Sequence, residues 1–133
     1  KAPYCSNTLE DNFPDGQDIE VFEYKLLEMA NNEAILKSDR EHVTTFIKNN
    51  NDISKVSYID SKVKNYENVR LTVDYEKDLN SIKILCNELG INKRWQDYAK
   101  HVTENPDLYN NQFYIRNEGY LKSLNDEKRS KFI

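Results

Sequence analysis

VRLTVDYEKDLNSIKILCNEL, residues 69–89, changes its hydrophobic period part-way along. Val69, Leu71 and Val73 alternate, which predicts a strand with one buried face. From Leu79 the apolar residues Ile82, Leu85, Cys86 and Leu89 recur at helical spacing, and Gly90 follows where a helix would stop. Asp74 falls at the change of period, between the strand and the helix. In open α/β sheets, ligands collect at the carboxyl ends of strands, so this carboxylate is the reference point for the rest of the chain.

Around this unit the same alternation of short strands and helices continues. Tyr4-Cys5-Ser6 is strand-like, and Asn7 to Asp18 is a polar connector with a Pro14-Asp15-Gly16 turn signal. Ile19, Val21 and Phe22, with Asp18 and Glu20 interleaved, predict a short strand whose carboxylates lie on the face opposite Ile19 and Val21. Phe22, Leu26, Met29 and Ala30 share one helical face. Ser38 with Glu41 three residues later has the spacing of a capping box, and Val43, Phe46 and Ile47 supply a buried face for that helix. Ile53 to Ile59 reads as a further strand, and Asp60 to Asn68 as a polar link. A helix is expected from about Lys93 to Glu104, closed by Asn105-Pro106. The remainder carries Phe113, Tyr114 and Ile115 and then becomes highly charged. The pattern predicts an α/β layered domain, with about four strands, few for a complete enzyme of that class. The chain starts at Lys1 and enters a strand-like segment at once, as expected of a piece of a longer protein.

The 133 residues suit one domain. A hydrophobic fraction of 38% is enough for a core, and 32% charged residues imply a wet surface. No apolar run approaches the ~20 residues of a membrane span, and no secretory leader pattern is present at the start. The net charge of −4, with both signs interspersed, lacks the basic stripe of a nucleic-acid binder. Cys5 and Cys86 are far apart in sequence. A reduced core thiol at Cys86 favours the cytoplasm.

Few residues stand out chemically. Asp74 has two readings: a helix N-cap taking up free backbone N–H groups, or a ligand of Mg²⁺, an ion held by one or two carboxylates together with substrate phosphates. Asp15, Asp18 and Glu20 form an acidic cluster. On a regular strand Asp18 and Glu20 share a face and could bind sugar hydroxyls, or simply face solvent. Arg40, Glu41 and His42 open a helix, where His42 is either a sugar or phosphate contact or a surface histidine. His101 has no partners at ligand spacing. The three glycines are too scattered for a phosphate-cradling loop, no Gly-x-Ser-x-Gly occurs, and no Cys/His set suits zinc.

Three stretches together, SNTLEDNFPDGQDIEVF (6–22), SDREHVTTFI (38–47) and VRLTVDYEKDL (69–79), resemble in order and spacing the C-terminal half of bacterial sugar cytidylyltransferases. The nearest type is the spore coat polysaccharide biosynthesis protein F, which is related to CMP-KDO synthetase and to acylneuraminate cytidylyltransferase. The resemblance implies a nucleotide-diphospho-sugar transferase fold, a three-layer α/β/α sandwich, of which residues 1–106 would be the C-terminal half and 107–133 a partly ordered extension. It implies transfer of CMP from CTP to a sugar acid or modified sugar in surface polysaccharide or glycan biosynthesis. It also implies Mg²⁺ as cofactor with Asp74 as a ligand, and Asp18, Glu20, Arg40, Glu41 and His42 in the region facing the sugar and a dimer partner. The family's Gly- and Arg-rich CTP loop and its other metal-binding Asp have no counterpart in the sequence. The expectation is a homo-oligomeric, cytoplasmic half-enzyme, inactive alone, with no nucleic-acid or membrane partner. The alternatives are a non-catalytic dimerisation or interaction module on the same fold, or a sugar-binding protein without transfer activity.

Overall fold

A computed structural model of the chain describes residues 1–10, 12–58, 66–110, 112 and 115–130. Ile59, residues 60–65 of the expected link, Phe113 and Tyr114 lie outside the described residues. The chain divides into two compact units: Lys1–Ser6, Glu20–Val56 and Ile115–Ile133 form one, Asn7–Ile19 and Ser57–Tyr114 the other.

The first unit carries a three-stranded sheet in the order β2-β1-β3, with β1 at Tyr4–Ser6, β2 at Glu20–Phe22 and β3 at Lys55–Ser57. β1 and β2 are antiparallel and place Tyr4 opposite Phe22, Cys5 opposite Val21 and Ser6 opposite Glu20. Tyr4 is fully buried, stacks on Phe22 at 6.1 Å, and its hydroxyl donates to Glu20 Oε2 at 2.9 Å. This register reverses the face expected from alternation. Ile19 and Val21 are 63% and 66% exposed, and the half-buried side chains of β2 are Glu20 and Phe22. Side chains alternate with a period of two, so fixing Phe22 against Tyr4 sends Val21 outward.

Helices follow the short strands. α1 (Tyr24–Glu33) buries Leu26 and Ala30, four residues apart on one face. The single helix expected from Ser38 is instead two short ones, α2 (Lys37–Glu41) and α3 (Thr45–Asn49). They are separated at Val43, whose φ of +26° is strained for a β-branched residue. Val43 is correspondingly exposed, whereas Ile47 is fully buried. Ser38 is not an N-cap. It lies inside α2, and its N–H and hydroxyl donate to the Glu127 carboxylate at 2.6 and 2.9 Å. Glu127 belongs to α6 (Glu118–Ser130), so a contact 89 residues away replaces the local capping box.

In the second unit, α4 (Glu76–Leu89) and α5 (Trp95–Glu104) pack around Val69, Leu85, Ala99, Val102 and Tyr109, with Leu71, Ile82, Leu89 and Trp95 against them. Gly90 ends α4 at φ +77°, its N–H bonded to Cys86 O at 2.9 Å. Pro106 opens a 3-10 turn, Pro106–Leu108, directly after α5.

The expected strand at 69–73 is an extended segment with one parallel bridge, between Arg70 and Asp15. The Asp15 N–H donates to Val69 O and the Leu71 N–H to Asp15 O, both at 2.8 Å. Arg70's own peptide groups point the other way and meet a side chain: its N–H donates to Gln112 Oε1 at 2.7 Å, and Gln112 Nε2 donates to Arg70 O at 3.2 Å. The Pro14-Asp15-Gly16 turn is therefore a strand partner rather than a plain connector. Gly16 is required there, because its φ is +93° and an added Cβ would lie 2.8 Å from Leu71 O. Gly16→Ala is expected to destabilise the chain by about 1–3 kcal/mol in urea denaturation; an unchanged midpoint would show that the turn is not held against Leu71.

Candidate functional site

The second unit gathers its charged groups around Arg70. Its guanidinium forms a two-pronged pair with Asp78: Nε donates to Oδ1 and Nη2 to Oδ2, both at 2.9 Å. Nη1 donates to Asp15 Oδ2 at 2.6 Å, and Nη2 also donates to Asp74 Oδ2 at 2.8 Å. Three carboxylates thus surround one cation, leaving two formal negative charges in excess. The Arg70 and Asp78 side chains are 7% and 0% exposed, but that of Asp74 is 60% exposed. Above all the hydrogen bonds to Asp78 raise the Arg70 pKa beyond its already high ordinary value, although burial pulls it the other way. Arg70 is a permanent charge.

Local chain geometry sets this arrangement. Arg70, Asp74 and Asp78 are spaced by four, but only Asp78 lies in α4. The N-cap of α4 is Tyr75, one residue later than the change of period suggests. The carboxylate that serves the helix start is Asp78, whose Oδ2 accepts the N–H groups of Asp74 and Tyr75, each at 2.9 Å. An acidic side chain in the first turn also suits the helix dipole. Asp74 is therefore relieved of capping. Its Oδ2 rests on Arg70, no described donor reaches its Oδ1, and the carboxylate faces water.

The remaining expected site residues lie elsewhere. Asp18 is exposed in the second unit. Glu20, in the first unit, pairs with Lys48 at 2.7 Å. Burial alone would raise its pKa, but hydrogen bonds from Lys48, Thr44 and Tyr4 more than offset this and hold it below the usual glutamate value. Arg40 Nη1 donates to Asn31 O at 3.0 Å. Glu41 Oε2 accepts from Ser123 Oγ at 3.1 Å, and His42 Nε2 lies 3.4 Å from the same hydroxyl with its ring edge-on to Tyr120. The Arg40-Glu41-His42 segment is thus engaged by α1 and α6 of its own unit. Sequence reasoning missed Arg70, Asp78 and Asp15 as one cluster. The available signal was the four-residue spacing of Arg70, Asp74 and Asp78 across the strand-to-helix change.

Among the described residues no group of three metal-capable side chains forms a cage. Asp74, with one oxygen on Arg70 and one toward solvent, fits a single carboxylate's share of a magnesium ion held chiefly by phosphates. The second unit also holds a cavity of about 310 Å³, lined by Leu71, Ile82, Leu85, Ile91, Trp95 and Tyr98 among others. Its apolar walls offer shape but none of the paired charges of the Arg70 cluster. Both thiols are free, and among the described residues no helix is long and apolar enough to cross a membrane.

The chain is similar to a solved cytidylyltransferase from Leptospira borgpetersenii serovar Hardjo-bovis, with a TM-score of 0.73 and 23% identity over 86% of this chain and 48% of that one. The likeness is one of fold. In sequence, 107 residues are 32% identical to an uncharacterized protein of Methanocaldococcus jannaschii, covering 79% of this chain and 44% of that protein. No family model matches. The chain spans about half the length of the proteins it matches. The α/β architecture expected from the sequence agrees with this neighbour. The six helices and three-stranded sheet are the described form of it.

The cluster predicts a contrast in stability. Asp78→Asn leaves a buried guanidinium short of its main partner and is expected to cost about 3–5 kcal/mol. Asp74→Asn removes only an exposed arm and is expected to cost no more than about 1 kcal/mol. Thermal and urea unfolding of the two variants would check this; equal losses would contradict the division of roles.

Proposed function

We propose that this chain is the C-terminal half of a sugar cytidylyltransferase of the spore coat F type, contributing one metal-binding carboxylate to a reaction completed elsewhere in a longer protein. The observation that carries the reading is Asp74: an exposed carboxylate at a strand-to-helix turn, freed from capping by Asp78 and oriented by Arg70. It occurs in a chain with the fold of about half of a cytidylyltransferase. The reaction transfers CMP from CTP to a hydroxyl of a sugar acid or modified sugar and releases pyrophosphate. Magnesium at Asp74 would supply neutralising charge on the phosphates. Asp18, Glu20, Arg40, Glu41 and His42 are proposed as the sugar-facing region. Glu20 and the Arg40-to-His42 segment act there through an assembled site, since their described partners are their own unit's side chains.

In the longer protein, Asp74→Asn is expected to abolish magnesium-dependent release of pyrophosphate from CTP while leaving the fold intact by circular dichroism. Retained release would remove Asp74 from the site. The chain on its own is expected to be inactive.

We further propose a homo-oligomer, the arrangement in which a non-catalytic dimerisation module is the second reading. Val21 of β2 and Val56 of β3 are both exposed on one three-stranded sheet. Burying such aliphatic side chains against a second copy yields about 25 cal/mol per Å². Light scattering is expected to report a dimer that Val21→Asp converts to monomer; a monomeric parent chain would exclude this assembly.

A further inference from the structure

Arg70 is placed for more than holding the turn and the helix together. We propose that it is the positioning residue for Asp74: by fixing Oδ2 it aims Oδ1 at the divalent cation. This inference rests on the reading of Asp74 as a metal-binding carboxylate.

The geometry favours orientation over obstruction. A guanidinium is a planar fork with fixed donor directions. Asp78 takes both Nε and Nη2, and Asp15 takes Nη1, so the plane of the fork is set by two carboxylates before Asp74 is reached. The contact with Asp74 comes from Nη2 to one oxygen only. The carboxylate is therefore held from one side with its other oxygen toward solvent. Metal-ligating carboxylates are ordinarily hydrogen-bonded in this way, and loss of such supporting partners costs about 10–100-fold in metal affinity. A competing role, in which the guanidinium occupies the cation's place and must leave, is opposed by its burial. Asp78 and Asp15 hold it whether or not Asp74 does. The two negative charges left in excess around it also offset its repulsion of a second cation.

The experiment uses the longer protein to which this chain is proposed to belong, isotopically labelled and with CTP present to supply the phosphates, with Mn²⁺ and Mg²⁺ as probes and magnetic resonance as readout. Mn²⁺ should broaden the amide signals of Asp74 and Tyr75 first, and Asp74→Asn should abolish that pattern. In Arg70→Lys, which keeps the charge but loses the fork, the same broadening should need about tenfold more Mn²⁺. A second measurement needs no variant: in the parent protein the Arg70 Nε–H should remain protected from exchange when Mg²⁺ is added to saturation. If a folded Arg70→Lys variant responds to Mn²⁺ as the parent does, or if Mg²⁺ strips protection from Arg70, the positioning role is overturned and the Asp74 reading stands. If the parent protein shows no broadening centred on Asp74, the reading of Asp74 fails and the inference falls with it.

Discussion

The second unit depends on burying one positive charge. Withdrawing a guanidinium from water is costly unless its donors are matched by carboxylates, and Arg70 is matched by three. Each comes from a different piece of local structure: Asp15 from the turn, Asp78 from the first turn of α4, and Asp74 from the junction before it. These pieces cannot shift independently while the charge is buried. The single bridge between Asp15 and Arg70 lets the turn lie along the extended segment, and Gly16 gives the backbone room to do so.

What the sequence displayed and what it hid follow from the range of the interactions. α4 and α5 were legible because their apolar residues repeat at 3.6 and their ends carry Gly90 and Asn105-Pro106. The stretch at Ser38 misled because its local pattern was satisfied by a distant residue, Glu127. Alternation at Val21 misled because a single aromatic pair, Tyr4 with Phe22, chose the opposite register. Arg70 was invisible to periodicity, which places a charged residue outward, whereas Val69 and Arg70 are both buried. Asp74 was legible as a junction residue, but its freedom from capping depends on Asp78, whose role appears only once the helix start is set at Tyr75. The cytidylyltransferase resemblance rested on the order of three motifs, and the fold of the solved neighbour agrees with it.

A division of labour between the carboxylates gives the proposed chemistry its physical sense. A carboxylate oxygen that already accepts backbone N–H groups has fewer lone pairs left for a metal ion. Here the buried Asp78 takes the structural load, and the exposed Asp74 keeps an oxygen for solvent or a ligand. The proposed site is preorganised by these contacts. The cost of ordering falls on folding rather than on ligand binding.

The Gln112 side chain bears on how the molecule behaves in a crowded solution. A carboxamide is a peptide group at the end of a side chain, with one acceptor and a donor pair. At Arg70 it satisfies the outward N–H and C=O together, as the next strand of a sheet would. Unpaired strand edges recruit other chains and seed aggregation. A single glutamine closes this edge at Arg70 with a side chain, which offers an incoming strand no backbone on which to continue the ladder.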